Sequence, residues 1–292
     1  MVAGVADRYH SAMKSLSSGA KTLRLQKALA DAGVAARRDC EQMILSGRVH
    51  VNGRAIAALP CFVDPLHDVV TLDGVAVDIS ASAGRAAAAT PRKLTYVLVN
   101  KPKGVISTTR DELGRRNVLS LLPPALRAEE RLYPVGRLDG DSTGLLLLTN
   151  DGDLTHLLTH PRVGVLKEYR VTTAGLATED QLQQLRKGMY LAPVAAGGAA
   201  RGKRAAMESV RILKRFVDRS RGDRTILSVA LREGQNREIR RMLARVGLKA
   251  RTLERVAIGP LRIGDLQPGQ CKLLGKKDVD RLRAAVAERT RP

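Results

Sequence analysis

The residues best placed to do chemistry stand in the stretch GRLDGDSTGLLLLTNDG, Gly136 to Gly152. Arg137 and Asp139 occupy a glycine-rich turn directly before Leu145 to Leu148, an apolar run that must be buried. Taken alone, the stretch admits four uses for its carboxylates. The aspartates can simply solvate turns. Asp139, Asp141, Asp151 and Asp153 can gather oxygen ligands around magnesium, although they lack calcium-loop spacing and Arg137 opposes a cation. Asp139 and Asp141 can serve as acid and base on a sugar, but residues two apart are poorly placed to flank a ring. The last use is a lone carboxylate that attacks a carbon or removes a proton. Other reactive types are less promising. His156 and His160 share a helix face without the intervening glutamate of a zinc protease. Cys40, Cys61 and Cys271 are odd in number and far apart, which excludes a disulfide framework and the standard zinc spacings.

A turn can only present such a carboxylate if larger elements hold it. The 292 residues suffice for two domains. Fifty Lys and Arg against 29 Asp and Glu give a formal charge of +21, which implies a polyanionic partner, nucleic acid before membrane. No apolar run approaches a bilayer span and no secretory leader is visible, so a cytoplasmic protein is expected. Aromatic residues make up 2% of the chain, so any base stacking rests on one or two tyrosines.

The segment 1–20 reads as a flexible tail. In LRLQKALADAGVAARRDCEQMILSGRVHVNGRAI, Leu25, Leu29 and Ala32 mark one short helix ended by Gly33. Cys40, Met43 and Ile44 mark a second helix, and Asn52-Gly53 a hairpin turn. Seven cations against three anions between Lys21 and Arg54 make this module, residues 21–80, basic. Arg37 and Arg38 open its second helix, where backbone N–H groups also favour phosphate, and Arg48 adds to the same charge. Residues 81–93 read as a linker. Beyond them, YVLVNKPKGVIS, LLLLTND, KEYRVTT and TILSVAL predict strands, and EDQLQQLRKGM and NREIRRMLARVG predict helices. That irregular order points to an α+β domain over 94–275 with a mixed, largely antiparallel sheet. The loop Ala195 to Lys203 is expected to be mobile, and 276–292 to form a basic tail, helical in character.

Two resemblances sharpen this reading. The first module is similar to the αL RNA-binding motif of the ribosomal-protein S-four type, through L-x-K-x-L-A-x-A-G, R-R and G-R-V-x-V-N-G. It departs at Ala36, where a serine is usual, a loss of a helix cap that costs about 1 kcal/mol. PVGRLDGDSTGLLLLTNDGDL, Pro134 to Leu154, resembles the catalytic motif of RNA pseudouridine synthases, in the RsuA/RluB branch that carries such a module. NKPKG (Asn100 to Gly104), HPRVGVLKEYRV (His160 to Val171) and LREGQNREIRRM (Leu231 to Met242) resemble that family's other blocks, in order. Departures are Glu238 for a more usual glutamine, Gln235 for a basic residue, and Glu168 between Lys167 and Tyr169.

The resemblance implies isomerisation of uridine to pseudouridine without a cofactor. It implies Asp139 as the acting carboxylate, Arg240 as its cationic partner, and Tyr169 as the residue packing on an extruded base. Arg137 is expected in the gap left in the stack or on a phosphate. Lys101, Lys103 and Lys167 are expected near the RNA, steadying the backbone. Eight cations against three anions from Arg232 to Arg255, Arg237 and Arg241 among them, are expected mostly to face RNA. The implied partner is ribosomal RNA or an assembly intermediate, of the large subunit first and the small subunit second, met by a monomer. Two other classes stand beside the enzyme: an rRNA-binding assembly factor that does not need its active site, and a nucleosidase that releases uracil.

Overall fold

The computed structural model describes residues 22–80, 93–109, 111, 113–129, 131–192, 202–220 and 222–290. The expected N-terminal tail lies outside them. So do the linker up to residue 92 and the loop from Ala195 up to residue 201. The chain divides after Lys93 into two compact units.

In the first unit β1 (Leu23–Arg24) leads into α1 (Leu25–Asp31), and α2 (Arg37–Leu45) follows. Leu25, Ala28, Leu29, Cys40 and Ile44 are the apolar faces of the two helices, all fully buried. The hairpin β2 (Val49–Val51) and β3 (Arg54–Ile56) turns on Asn52 and Gly53, at φ 50° and 77°. Two successive positive values make the tight turn whose twist suits a hairpin. Then come β4 (Phe62–Val63), paired with β1, and the hairpin β5 (Val70–Leu72) and β6 (Val75–Val77), which completes a sheet of order β3-β2-β5-β6. Ala36 has the extended backbone of a helix cap but no side chain to cap with. Ala36→Ser should therefore raise the stability of this unit by about 1 kcal/mol in thermal or urea unfolding. No gain would mean that the exposed N–H groups of α2 already have solvent enough.

The second unit is an α+β domain. Its strands are β7 (Tyr96–Lys101), β8 (Tyr133–Pro134), β9 (Thr143–Thr149), β10 (Lys167–Ala174), β11 (Met189–Leu191), β12 (Lys203–Ala205), β13 (Ser209–Phe216), β14 (Arg224–Leu231), β15 (Lys249–Ile258), β16 (Leu261–Arg262) and β17 (Cys271–Leu273). Its helices are α3 (Pro124–Glu129), α4 (Gly152–Thr159), α5 (Glu179–Lys187), α6 (Glu238–Arg245) and α7 (Lys276–Thr290). The main sheet runs β13-β14-β10-β15-β9-β7-β17, with β8 and β16 alongside. Pairing is antiparallel except between β15 and β9.

The four leucines find their place in β9. Alternate side chains of a strand point to opposite faces. Leu146 and Leu148 join the core that contains Val97, Val99 and the apolar face of α6, while Leu145 and Leu147 join a second core with Leu98, Leu154 and Leu158. Both faces of β9 are covered, which is why the run does not alternate with polar residues. The segment expected as a basic tail belongs to this second core. Val279, Leu282 and Val286 of α7 are buried there, and Arg283 Nη2 meets Asp151 Oδ2 at 2.9 Å and the Tyr96 hydroxyl at 3.0 Å. The charges of that segment conceal an apolar stripe at spacings of three and four. No helix among the described residues is long and apolar enough to cross a membrane.

Candidate active site

Asp139 lies in the loop between β8 and β9, and that loop is clamped on both sides of it. Ser107 Oγ donates to Leu138 O at 2.9 Å and accepts from Leu138 N at 3.1 Å. Gly104 N donates to Gly140 O at 2.7 Å. The segment from Lys101 to Ser107 thus holds the residues before and after the aspartate. Lys101 braces that segment from inside: its fully buried Nζ donates to Val105 O at 2.6 Å and Pro102 O at 3.1 Å. Burial lowers its pKa from 10.5 to about 8, against the pull of the Asp141 and Asp139 charges.

A lysine whose pKa falls on folding makes the folded state gain stability as pH rises between the folded and unfolded values, because the unfolded chain there holds more protons. Between pH 8 and 10.5, wild type should therefore gain stability relative to Lys101→Met. Urea midpoints for both proteins at several pH values check this; parallel midpoints would contradict it.

Two cationic side chains from the start of α6 face the loop. Arg237 has a left-handed backbone at φ 49°, uncommon for an arginine, and costly by about 1 kcal/mol or more. Its Nη1 lies 3.1 Å from Asp139 Oδ2, and its guanidinium also reaches both oxygens of Asp141 at 3.4 Å. Arg240 sits 3.2 Å from Asp141 Oδ2 and close to Asp141 O and Ser142 Oγ. Burial works against the Asp141 charge, but the Arg237 hydrogen bond and the Arg240 and Arg237 charges outweigh it, holding this carboxyl below its usual range.

Asp139 stands on the wall shared by two concavities. The inner one, about 250 Å³, is lined by Asp139, Tyr169, Lys167, Arg255, Glu238 and the apolar Leu138, Leu231, Leu253 and Ile258, among others. It is a little smaller than the roughly 300–1,000 Å³ of drug-sized ligand sites, a scale suited to one base. The outer one, about 780 Å³, has a polar wall that includes Ser107, Arg115, Arg137, Asn236 and Arg237. Tyr169 is buried in β10, directly across from Arg255 of β15. On the other side of Arg255, Gly144 lets β9 approach β15: it pairs with Arg255, and a Cβ there would lie 2.3 Å from Arg255 O. Among the described residues no group of three or more His, Cys, Asp or Glu can hold a metal ion, and Asp151 instead caps α4 by accepting from Leu154 N.

A family model described as RNA pseudouridylate synthase matches residues 95–245, just over half of the chain, and an S4 domain model matches residues 23–57. The chain belongs to the RNA pseudouridine synthase family. The synthase is 36% identical over 264 residues to an uncharacterized RNA pseudouridine synthase of Mycobacterium tuberculosis, covering 90% of this chain and 94% of that one. It is 33% identical over 261 residues to the ribosomal large subunit pseudouridine synthase B of Bacillus subtilis, covering 89% and 96%. A crystal structure of a pseudouridylate synthase matches its fold with a TM-score of 0.56 at 24% identity, over 89% of this chain and 99% of that one.

Seen in the structure, several residues of the synthase do something other than expected. Arg237, not Arg240, holds Asp139, while Arg240 is taken by Asp141 and by Ala250 O. The left-handed turn at Arg237 starts α6 immediately after it and places two arginines, three apart, on one aspartate loop. Lys101 has no surface left for RNA. Lys167 is half-buried with its Nζ on Val165 O at 3.0 Å, and burial, helped by the Arg255 charge, lowers its pKa to about 8. Arg237, Arg245, Lys249 and Arg251 of the run from Arg232 to Arg255 are exposed, and several cations of the run also meet protein acceptors. Arg232 pairs with Glu208, Arg241 reaches Ala192 O, Arg245 reaches Tyr190 O at 3.1 Å, and Arg255 reaches Leu145 O at 2.7 Å. Glu238 is buried, and desolvation raises its pKa against the Gln235 backbone hydrogen bond. Arg137 and Lys103 are exposed, Arg137 on the rim of both concavities. In the N-terminal unit Arg37 and Arg38 are exposed, whereas Arg48 is paired with Asp73. Ser107 and Arg255 lie outside the quoted motifs, and the bracing role of Lys101 inside NKPKG is revealed only by the fold.

Proposed function

We propose that this synthase isomerises a uridine of ribosomal RNA, in the large subunit, with Asp139 as the catalytic carboxylate. The observation that carries this reading is that the Asp139 carboxylate and the Tyr169 ring line one small cavity opening beside a larger polar cleft. A strand lying in the outer cleft can place one extruded base in the inner one, at the cost of unstacking it. The base then packs on Tyr169 while its sugar stays at the wall where Asp139 stands. Arg237 keeps the carboxylate paired until substrate arrives, and its exposure lets it turn to a phosphate afterwards. Support for the large subunit comes from the Bacillus subtilis relative and its name.

Pseudouridine mapping across rRNA from cells with and without this protein tests the substrate. One missing modification in large-subunit RNA is the expected result. A missing site in small-subunit RNA would move the assignment, and an unchanged map would overturn it. For the N-terminal unit, Arg37→Ala with Arg38→Ala should weaken RNA binding and make its dependence on log salt shallower by about 1 to 2. Equal slopes would remove these two residues from the RNA interface.

A further inference from the structure

We propose that Arg255 hydrogen-bonds a carbonyl oxygen of the extruded uracil and stabilises the charge that gathers there when the glycosidic bond breaks. This rests on the reading that the inner cavity receives the base.

Arg255 is only 3% exposed and lines the cavity. Burying a guanidinium, which stays charged at every working pH, is expensive unless its N–H groups are met. One is met: Nε donates to Leu145 O at 2.7 Å. Nη2 is buried with no hydrogen-bond partner among the described residues. Among the described residues no carboxylate forms an ion pair with it, and the neighbouring Lys167 charge repels it. Glu238, the carboxyl on the same wall, is occupied with Gln235 N at 2.7 Å. A buried cation with an unmet donor, next to a second cation in the lining of a base-sized space, matches an incoming acceptor that carries or develops negative charge.

The reaction supplies such an acceptor. When N1 parts from C1′, the electron pair leaves with the base and spreads over O2 and O4. After the base turns, C5 bonds to C1′, the C5 proton is given up and N1 takes a proton, so nothing is gained or lost overall. A donor on O2 or O4 helps both in the leaving step and in holding the detached base. It also favours uracil over cytosine if the contact is at O4, since cytosine has an amino group there. Tyr169, opposite Arg255 across the strands, is positioned to fix the ring plane within which that hydrogen bond lies.

The test uses the full chain and an RNA fragment centred on the mapped uridine, with that nucleotide as uridine, 2-thiouridine or 4-thiouridine, since a thiocarbonyl is a poorer acceptor. Rates are measured for wild type, Arg255→Gln and Arg255→Lys at saturating RNA. Arg255→Gln should lower kcat about a hundredfold with little change in KM. At one of the two positions, the thio-to-oxo rate ratio should be about tenfold lower in wild type than in the variants, because only wild type has that hydrogen bond to lose. Arg255→Lys keeps the buried charge on a shorter side chain without the guanidinium fork, and reports the same coupling should Arg255→Gln disturb β15. Thio-to-oxo ratios that are equal in wild type and variant at both positions would overturn the proposal even if the variants are slow, since a purely structural arginine slows all three RNAs alike. That outcome leaves the role of Asp139 untouched, because an active Asp139→Asn enzyme is the separate result that would remove the catalytic reading itself.

Discussion

Asp139→Asn should lower the rate of pseudouridine formation by about three to four orders of magnitude, with the melting temperature and RNA affinity nearly unchanged. The substitution keeps the size of the side chain and an oxygen that can accept from Arg237. The loop keeps its shape because backbone and Ser107 bonds at Leu138 and Gly140, not the carboxylate, hold it. What is lost is the negative charge at the wall between the two concavities. Whether that charge attacks a carbon or removes a ribose proton, the amide does neither at neutral pH. Quantifying pseudouridine in the target RNA by mass-neutral chemical mapping, beside a thermal melt of the same sample, separates chemistry from folding. Activity within tenfold of wild type would place the catalytic group elsewhere. In cells, a growth phenotype restored by Asp139→Ala would favour an assembly factor over an enzyme as the reason the protein is kept.

Gly144→Ala should destabilise the second unit by about 3 kcal/mol or more, lowering its melting temperature by roughly 6 to 12 °C. Two costs add at this position. The backbone stands at φ +102°, which side chains rarely adopt, and a Cβ would meet Arg255 O at 2.3 Å and Arg255 N at 2.7 Å. Those atoms belong to the neighbouring strand, so relief requires β9 and β15 to part where both flank the active site. Gly114→Ala is the control: its φ is +66° with nothing within 4 Å, so only the backbone cost of about 1 to 2 kcal/mol remains. Equal losses for the two variants would show that the close approach is not what matters. Below its melting point Gly144→Ala should still lose activity, since Arg255 moves with its backbone.

Much of this molecule can be read from residue patterns. The helices of the first unit declare themselves through Leu25, Leu29, Cys40 and Ile44, and its hairpin through Asn52-Gly53, because local spacing and a backbone-permissive turn suffice to specify them. The leucine run of β9 is equally plain. Others stay hidden for physical reasons. KARTLERVAI, the longest strand, carries three cations and presents a mostly exposed first half, so it passes for an RNA-facing surface. Burial of its Arg255 depends on the oxygen of Leu145, 110 residues away in sequence. Lys101 looks like an RNA contact because lysine is seldom buried, and only the carbonyls of Val105 and Pro102 explain why this one is. The exchange between Arg237 and Arg240 turns on one left-handed residue, which no periodicity announces.

The seam between β7 and α7 has a consequence in time. Tyr96 and Arg283, joined through the tyrosine hydroxyl, are 187 residues apart, and Val286 closes the core beneath β9. On a ribosome, the first unit is free to fold once its own stretch has emerged, whereas Tyr96 of β7 waits for the 187 residues that separate it from Arg283. A nascent chain is therefore able to grip RNA well before it can alter it.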